Sequence, residues 1–352
     1  MLECNKQARL WIPEESLAMS FRHWIASFTI TAVALVGSAS AQQQALKPLV
    51  VTEPVHGIGY LPLYVAIRKG FFADEGLEIK TITIESGSAP TNAVLSGQAF
   101  AFIAGPEHTA FAKLKGAELR VIVNVVQRGN LYYTAAKGKE PSPGADMGSY
   151  FKGKTIAVGP FGGTPNSITR FLVKKWGLDL KNDVVFLEVT TAGLLPVVKA
   201  GNAQIAAVQE PQTTQGIRQN IWGEPFLNFP KEHGDYAYST LNVRLDTIQK
   251  DPDTVQKFVR AVVRGLKFIH ANPAEAAAIA AKEFPTMPPD DLKPTLDRSF
   301  ADDLWSKDGF VSPEAWATAH SVVRSADVLK QDVGYDEVVD MQFVNKLRNS
   351  KQ

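Results

Sequence analysis

Gly59-Tyr60-Leu61-Pro62-Leu63-Tyr64-Val65-Ala66, then Lys69-Gly70-Phe71-Phe72 and Glu75-Gly76-Leu77, is the stretch from which the fold is read. Leu63, Ile67 and Phe71 recur at a spacing of four, one stripe of a helix. Gly70 and Gly76 punctuate its end. Just upstream, the apolar run over 49–52 predicts a short buried strand. Just downstream, residues 77–84 are rich in Ile and Thr and predict a second strand.

The same alternation continues outward. Ser88 is a candidate N-cap for a helix through Leu95, ended by Gly97. Residues 100–104 predict a strand, Pro106 sits where a first helical turn accepts proline, and 119–126 predict another strand. A second set follows: strand 154–158, a helix from Thr164-Pro165 to Trp176, strand 184–189, helix 191–199, strand 205–208 and helix 212–219. Short apolar strands alternating with helices imply an α/β chain with mostly parallel sheets whose faces are covered. The last third reads differently. Val255, Phe258, Val259, Val262, Leu266 and Ile269 make one long helical stripe. An alanine-rich helix over 274–284 comes next, and then two or three more helices. They either clothe the first lobe or form a helical domain of their own.

A weak internal repeat organises the strands into two groups. Val94-Leu95-Ser96-Gly97-Gln98-Ala99 is echoed by Val198-Lys199-Ala200-Gly201-Asn202-Ala203. Each copy runs into a short apolar strand and then an acidic residue beside proline: Gly105-Pro106-Glu107 and Gln209-Glu210-Pro211. Two similar lobes would place these strand ends at a shared crevice, where open α/β sheets bind ligands.

Composition narrows the function. The chain has 352 residues, 45% hydrophobic and 21% charged, which suits two lobes of roughly 150 residues. Its formal charge is +1, so it offers no basic field for nucleic acid. Arg22 and His23 precede an apolar run over 24–36, followed by Ala39-Ser40-Ala41 and three glutamines. This is the pattern of a signal peptide over 1–41 cleaved after Ala41; an uncleaved anchor is the other reading. Glu3, Glu14 and Glu15 do not suit a signal peptide's first segment, so Met19 is a candidate true start. The single cysteine, Cys4, leaves with residues 1–41. The exported chain then has no thiol for catalysis, metal ligation or lipid attachment, as suits an oxidising periplasm.

The opening stretch resembles the periplasmic substrate-binding proteins of the nitrate, sulfonate and taurine group, which includes thiamine-pyrimidine binders and Thi5-like domains. In that family the helix after the first strand reads P-x-x-x-A-x-x-x-G-F-F-x-x-x-G-L. Ser96-Gly97-Gln98-Ala99 and Glu210-Pro211 are similar to further landmarks, whereas Phe100 and Gln204 stand where the pattern carries an acidic residue. The resemblance covers about 48–270. It implies a two-lobed clamshell of the second periplasmic-binding-protein type. Lobe one would comprise 46–130 plus 238–352 and lobe two 131–237, with crossings near 127–132 and 235–240. It also implies a solute-binding component of an ABC importer: a monomer with no catalysis and no cofactor, whose partners are a small solute and an inner-membrane permease. A Thi5-like enzyme and a periplasmic sensor domain are the alternatives on the same fold.

Candidate ligand-facing residues lie after the strands. His56 and Tyr60 flank a glycine-rich turn that is equally a plain strand-to-helix connection. Ser86 and Ser88, and Phe161, Gly162, Gly163 and Thr164, open helices whose free N–H groups favour acceptor oxygens; each set also reads as simple capping. Glu107, His108 and Glu210 either face a ligand or satisfy their own helices. Arg128 is a ligand cation or a surface residue, and His233, His270 and His320 have no metal-like spacing. Carboxylates beside Phe161, Tyr60, Tyr236 and Tyr238 suggest a flat or amine-bearing organic solute, pyrimidine-like, with a sulfonate as the second choice.

Overall fold

The computed structural model describes residues 45–85 and 87–350. The expected signal peptide and Ser86 lie outside the described residues. Ten strands are described: β1 Lys47–Glu53, β2 Leu77–Thr83, β3 Ala101–Ala104, β4 Leu119–Arg128, β5 Tyr132–Ala135, β6 Thr155–Val158, β7 Val185–Glu188, β8 Ile205–Val208, β9 Leu227–Asn228 and β10 Asp235–Arg244. They form two five-stranded sheets, in the orders β2-β1-β3-β10-β4 and β7-β6-β8-β5-β9. The chain passes to the second sheet between Arg128 and Tyr132 and returns between Asn228 and Asp235.

The two orders match position by position. β3 lies between β1 and β10, as β8 lies between β6 and β5. The sequence echo sits at this equivalent place. Gly97 (φ 78°) follows the Ala89–Leu95 helix into β3, and Gly201 (φ 80°) follows the Leu194–Lys199 helix into β8. Both glycines occupy the left-handed region, which a residue with a Cβ adopts only at a cost.

Both sheets are mixed. β1 runs parallel to β2 and β3, and β6 parallel to β7 and β8, as the alternation predicts. β10 is antiparallel to β3 and β4, and β5 antiparallel to β8 and β9. These are the first strands after each passage between sheets, and neither is read from the sequence. β10 buries Ser239, Thr240 and Asn242, which lack the apolar signature of a central strand. Their polar groups are satisfied locally: Asn242 Nδ2 donates to Phe102 O at 3.3 Å and Thr240 Oγ1 to Asn242 Oδ1 at 2.9 Å.

The long helix is Pro252–Ala271, and all six residues of its expected stripe are buried. It packs on the Leu61–Arg68 helix and on β4. Gly265 permits this approach, since a Cβ there would stand 2.3 Å from Pro62 O. After the Pro273–Glu283 helix come four helices, Pro289–Ala301, Pro313–Ser325, Tyr335–Val338 and Gln342–Asn349, rather than two or three. The four-residue Tyr335–Val338 turn is too short to show a period. These helices do not clothe the first sheet alone. Pro289–Ala301 packs on the Gln212–Arg218 helix that follows β8, and Pro313–Ser325 packs on both β10 and the Thr164–Lys175 helix that follows β6. Among the described residues, no helix is long and apolar enough to cross a membrane.

Candidate functional site

Every parallel strand delivers a residue to one cleft. Its walls include Pro54 and Val55 after β1, Glu85 after β2, Gly105 after β3, Gly159 and Pro160 after β6, Thr191 after β7 and Gln209 after β8. This is the carboxyl-end crevice of an open α/β sheet, formed here by two sheets at once. Tyr60 from the opening stretch and Tyr238 and Ser239 from β10 complete it. The cleft has two connecting chambers of about 90 and 80 Å3, both lined by Tyr60, Gln209, Tyr238 and Ser239.

The two sides touch. Thr164 Oγ1 donates to Glu107 Oε1 at 2.5 Å, Thr191 N to Glu85 Oε1 at 2.5 Å, and Gln209 Nε2 to Tyr238 OH at 2.9 Å. Gly87 meets the backbone of Phe161 so closely that a Cβ there would lie 2.6 Å from Phe161 O.

Glu107 opens the helix after β3 and is buried beside the first chamber, against Gly105. Burial pushes its pKa up to about 7, and the Thr164 hydroxyl only partly opposes this. Its second oxygen, Oε2, is buried with no partner. Thr91 Oγ1 in the first chamber and Asn130 Oδ1 in the second are unpartnered too. Next to Glu107, His108 lines the first chamber, and burial lowers its pKa to about 4, so it is neutral at pH 7.

Glu210, after β8, is built differently. Its carboxylate accepts from Thr214 N at 3.2 Å, Thr214 Oγ1 at 3.0 Å, Thr295 Oγ1 at 3.2 Å and Arg298 Nε at 2.7 Å. Burial raises its pKa, and the Arg298 charge works against that rise. Glu210 therefore joins the second sheet to the Pro289–Ala301 helix. Arg218–Asp291 and Tyr132 OH to Asp302 at 2.8 Å add to the same connection.

His56 borders the second chamber. Its Nδ1 meets Glu53 Oε1 at 2.9 Å and its Nε2 faces Glu283 Oε1 at 3.4 Å. The bond to Glu53 raises its pKa against partial burial. Glu53 itself is buried at the end of β1, accepting also from Tyr64 OH at 2.6 Å and Thr83 Oγ1 at 2.9 Å, which fixes the turn that carries His56. Tyr60 OH bonds Ser239, and burial raises its pKa.

Of the expected site residues, His56, Tyr60, His108, Gly163, Thr164 and Glu210 line the two chambers. Glu107 lies against them. Ser88, Phe161 and Gly162 line a separate groove, and Ser86 is outside the described residues. Thr164 is the first helical residue, with Gly163 as the cap. Arg128 pairs with Asp235 at 2.9 Å and Asp303 at 3.6 Å. Sequence reasoning missed Thr91, Thr191, Gln209 and Ser239. Thr191 and Gln209 could have been found by taking the residues after every strand; Ser239 required recognising β10. Among the described residues, no lysine or arginine lines either chamber and no cluster could hold a metal ion.

Comparison with known proteins agrees with this architecture. YtlA of Bacillus subtilis is 25% identical over 316 residues, covering 89% of this chain and 94% of that protein. The riboflavin-binding protein RibY of Chloroflexus aurantiacus is 25% identical over 312 residues, covering 82% and 84%. Among solved structures, the alkanesulfonate-binding protein SsuA of Xanthomonas axonopodis pv. citri superposes with a TM-score of 0.67 at 15% identity, covering 84% of this chain and 98% of that one. The family model described as NMT1/THI5 like matches residues 58–276, more than half of the 352. The chain belongs to the NMT1/THI5-like family, with the fold of the periplasmic binding proteins.

Proposed function

We propose that the protein is the periplasmic solute-binding component of an ABC importer, exported by its signal peptide, monomeric and performing no chemistry. Two lobes, 46–130 plus 238–352 and 131–237, close by hinge motion around a small organic solute and present it to an inner-membrane permease. The observation that carries this reading is the cleft itself: six parallel strand ends from two sheets converge on it, and hydrogen bonds cross it.

The solute class follows from the lining. Among the described residues, a nitrate or sulfonate would meet no lysine or arginine in either chamber, and would face Glu85 in the first, with Glu107 buried beside it. Like charges repel strongly in a poorly hydrated cleft. A neutral or amine-bearing solute would donate an N–H to Glu107 Oε2, relieving a buried acceptor left without a bond. Tyr60, Tyr238 and the cleft prolines provide apolar faces for a flat ring. A pyrimidine-like compound has both properties.

Native mass spectrometry of protein purified without refolding, followed by calorimetric titration with pyrimidines, riboflavin, alkanesulfonates and nitrate, tests this. Saturable binding of an N–H-bearing ring compound, with scattering showing a smaller radius of gyration on binding, is the expected result. Tight binding of nitrate or an alkanesulfonate alone would overturn the solute class.

A further inference from the structure

Ser88, Phe161 and Gly162 line a groove of about 630 Å3 outside the two chambers. It adjoins the cleft, with Gly87, Thr91 and His108 lining both. Its walls are mixed: Leu95, Phe111, Leu114, Phe161 and Leu329 form the apolar part, beside Asn92 and Gln331. Only five large hydrophobic side chains are exposed among the described residues, and two of them, Leu114 at 40% and Phe161 at 56%, stand here. That concentration marks a binding surface rather than scattered surface apolarity. Lys115 and Lys330 also line this groove, and both are exposed. Glu85 and neutral His108 line the first chamber, with Glu107 buried beside it, whereas Lys115 and Lys330 line the groove, so the acidic and the ammonium groups stand in different parts of the combined site.

We propose that the site is bipartite and takes an elongated solute. An amine or N–H-bearing head lies in the cleft, an apolar body passes His108 onto Phe111, Leu114 and Phe161, and an acceptor or anionic terminus reaches Lys115 and Lys330. This rests on the solute-binding reading and adds the length and polarity of what is bound. A small ring alone would leave the apolar walls in water. A compact anion would find its cations only outside the cleft.

The test is a homologous series of ω-amino carboxylates, from 4-aminobutanoate through 6-aminohexanoate and 8-aminooctanoate to 12-aminododecanoate, titrated calorimetrically beside the matching n-alkylamines. Affinity is expected to rise along both series, by up to about fourfold for each methylene buried. Leu114→Asn and Phe161→Ser, both at exposed positions, should flatten the rise without changing the thermal midpoint. Lys115→Glu with Lys330→Glu should weaken the long amino carboxylates about tenfold and leave the alkylamines unchanged. Affinity independent of length, or no binding by any member, overturns the bipartite site. Failure of the solute-binding reading is distinguishable, since then no solute co-purifies with the native protein either.

Discussion

Glu107 and Glu210 follow the equivalent strands β3 and β8 of two sheets with the same strand order, yet their carboxylates are employed in opposite ways. Glu210 has four donors, one of them charged, and binds the second sheet to the Pro289–Ala301 helix. Glu107 accepts from Thr164 on the opposite side of the cleft and from its own backbone N–H, and its Oε2 has no partner. A repeated topology thus brings an acidic side chain to each of the two strand ends, one after the proline and one before it, and leaves its role to the surroundings. Where a long-range cation arrives, the carboxylate is structural. Where none arrives, burial leaves it poised to change charge near neutrality and short of a hydrogen bond.

The largest effect that would sharpen this contrast is at Arg298. Its loss in Arg298→Ala leaves Glu210 buried without its counter-charge, which should lower unfolding free energy by about 3–5 kcal/mol. Urea denaturation at pH 7 reads it, and a loss below about 1 kcal/mol would show that the pair holds little together.

At Glu107 the sign reverses. Its folded pKa, about 7, stands above the ordinary 4.5, so the folded state holds this proton more tightly than the unfolded state. That contribution is present at low pH and is lost as pH rises from 4.5 through 7. Ligand-free Glu107→Gln should therefore stay within about 1 kcal/mol of the parent at pH 5 and exceed it by up to about 3 kcal/mol at pH 8. Equal stability at both pH values would mean that Glu107 is not desolvated.

A smaller change tests the bond across the cleft. Thr164→Val removes the side-chain donor to Glu107 and should cost about 1–3 kcal/mol at pH 8, where the carboxylate is ionised. It should also move the Glu107 titration above about 7, observable by carbon-13 NMR of the labelled carboxyl. A downward movement would contradict the assigned geometry.

The smallest expected effect is at His56. Its raised pKa means that the interactions with Glu53 and Glu283 stabilise the fold below about 6.5 and fade as pH rises through the folded value. The ring is 36% exposed, so His56→Gln should cost well under about 1 kcal/mol at pH 5.5 and nothing at pH 9.

Much of this was legible in the chain, for identifiable reasons. Parallel strands are short apolar runs, and β8 spans the same residues, 205–208, that the sequence predicts. The helix over Leu63 and Ile67 and the two glycine turns at 97 and 201 carry local signals, although that helix ends at Arg68 and leaves Phe71, the last of its expected stripe, in the turn beyond. β5 and β10 escaped because each follows a passage between the sheets, outside the strand–helix alternation, and β10 buries hydroxyl and amide groups that read as loop. The split between the two glutamates escaped because it depends on Arg298, which lies 88 residues from Glu210 and whose contact no local spacing reveals. Ser88 and Phe161 likewise sit at helix starts after strands, as Thr164 does, yet line a neighbouring groove that no local spacing separates from the cleft.

The central claim is that the cleft binds a donor-bearing organic solute through Glu107, whereas Glu210 serves the frame. Calorimetric titration of the co-purifying solute at pH 8 into parent protein and Glu107→Gln tests it most directly. The account predicts at least about tenfold weaker binding to Glu107→Gln, the loss of one charge-assisted hydrogen bond. Unchanged affinity would contradict it.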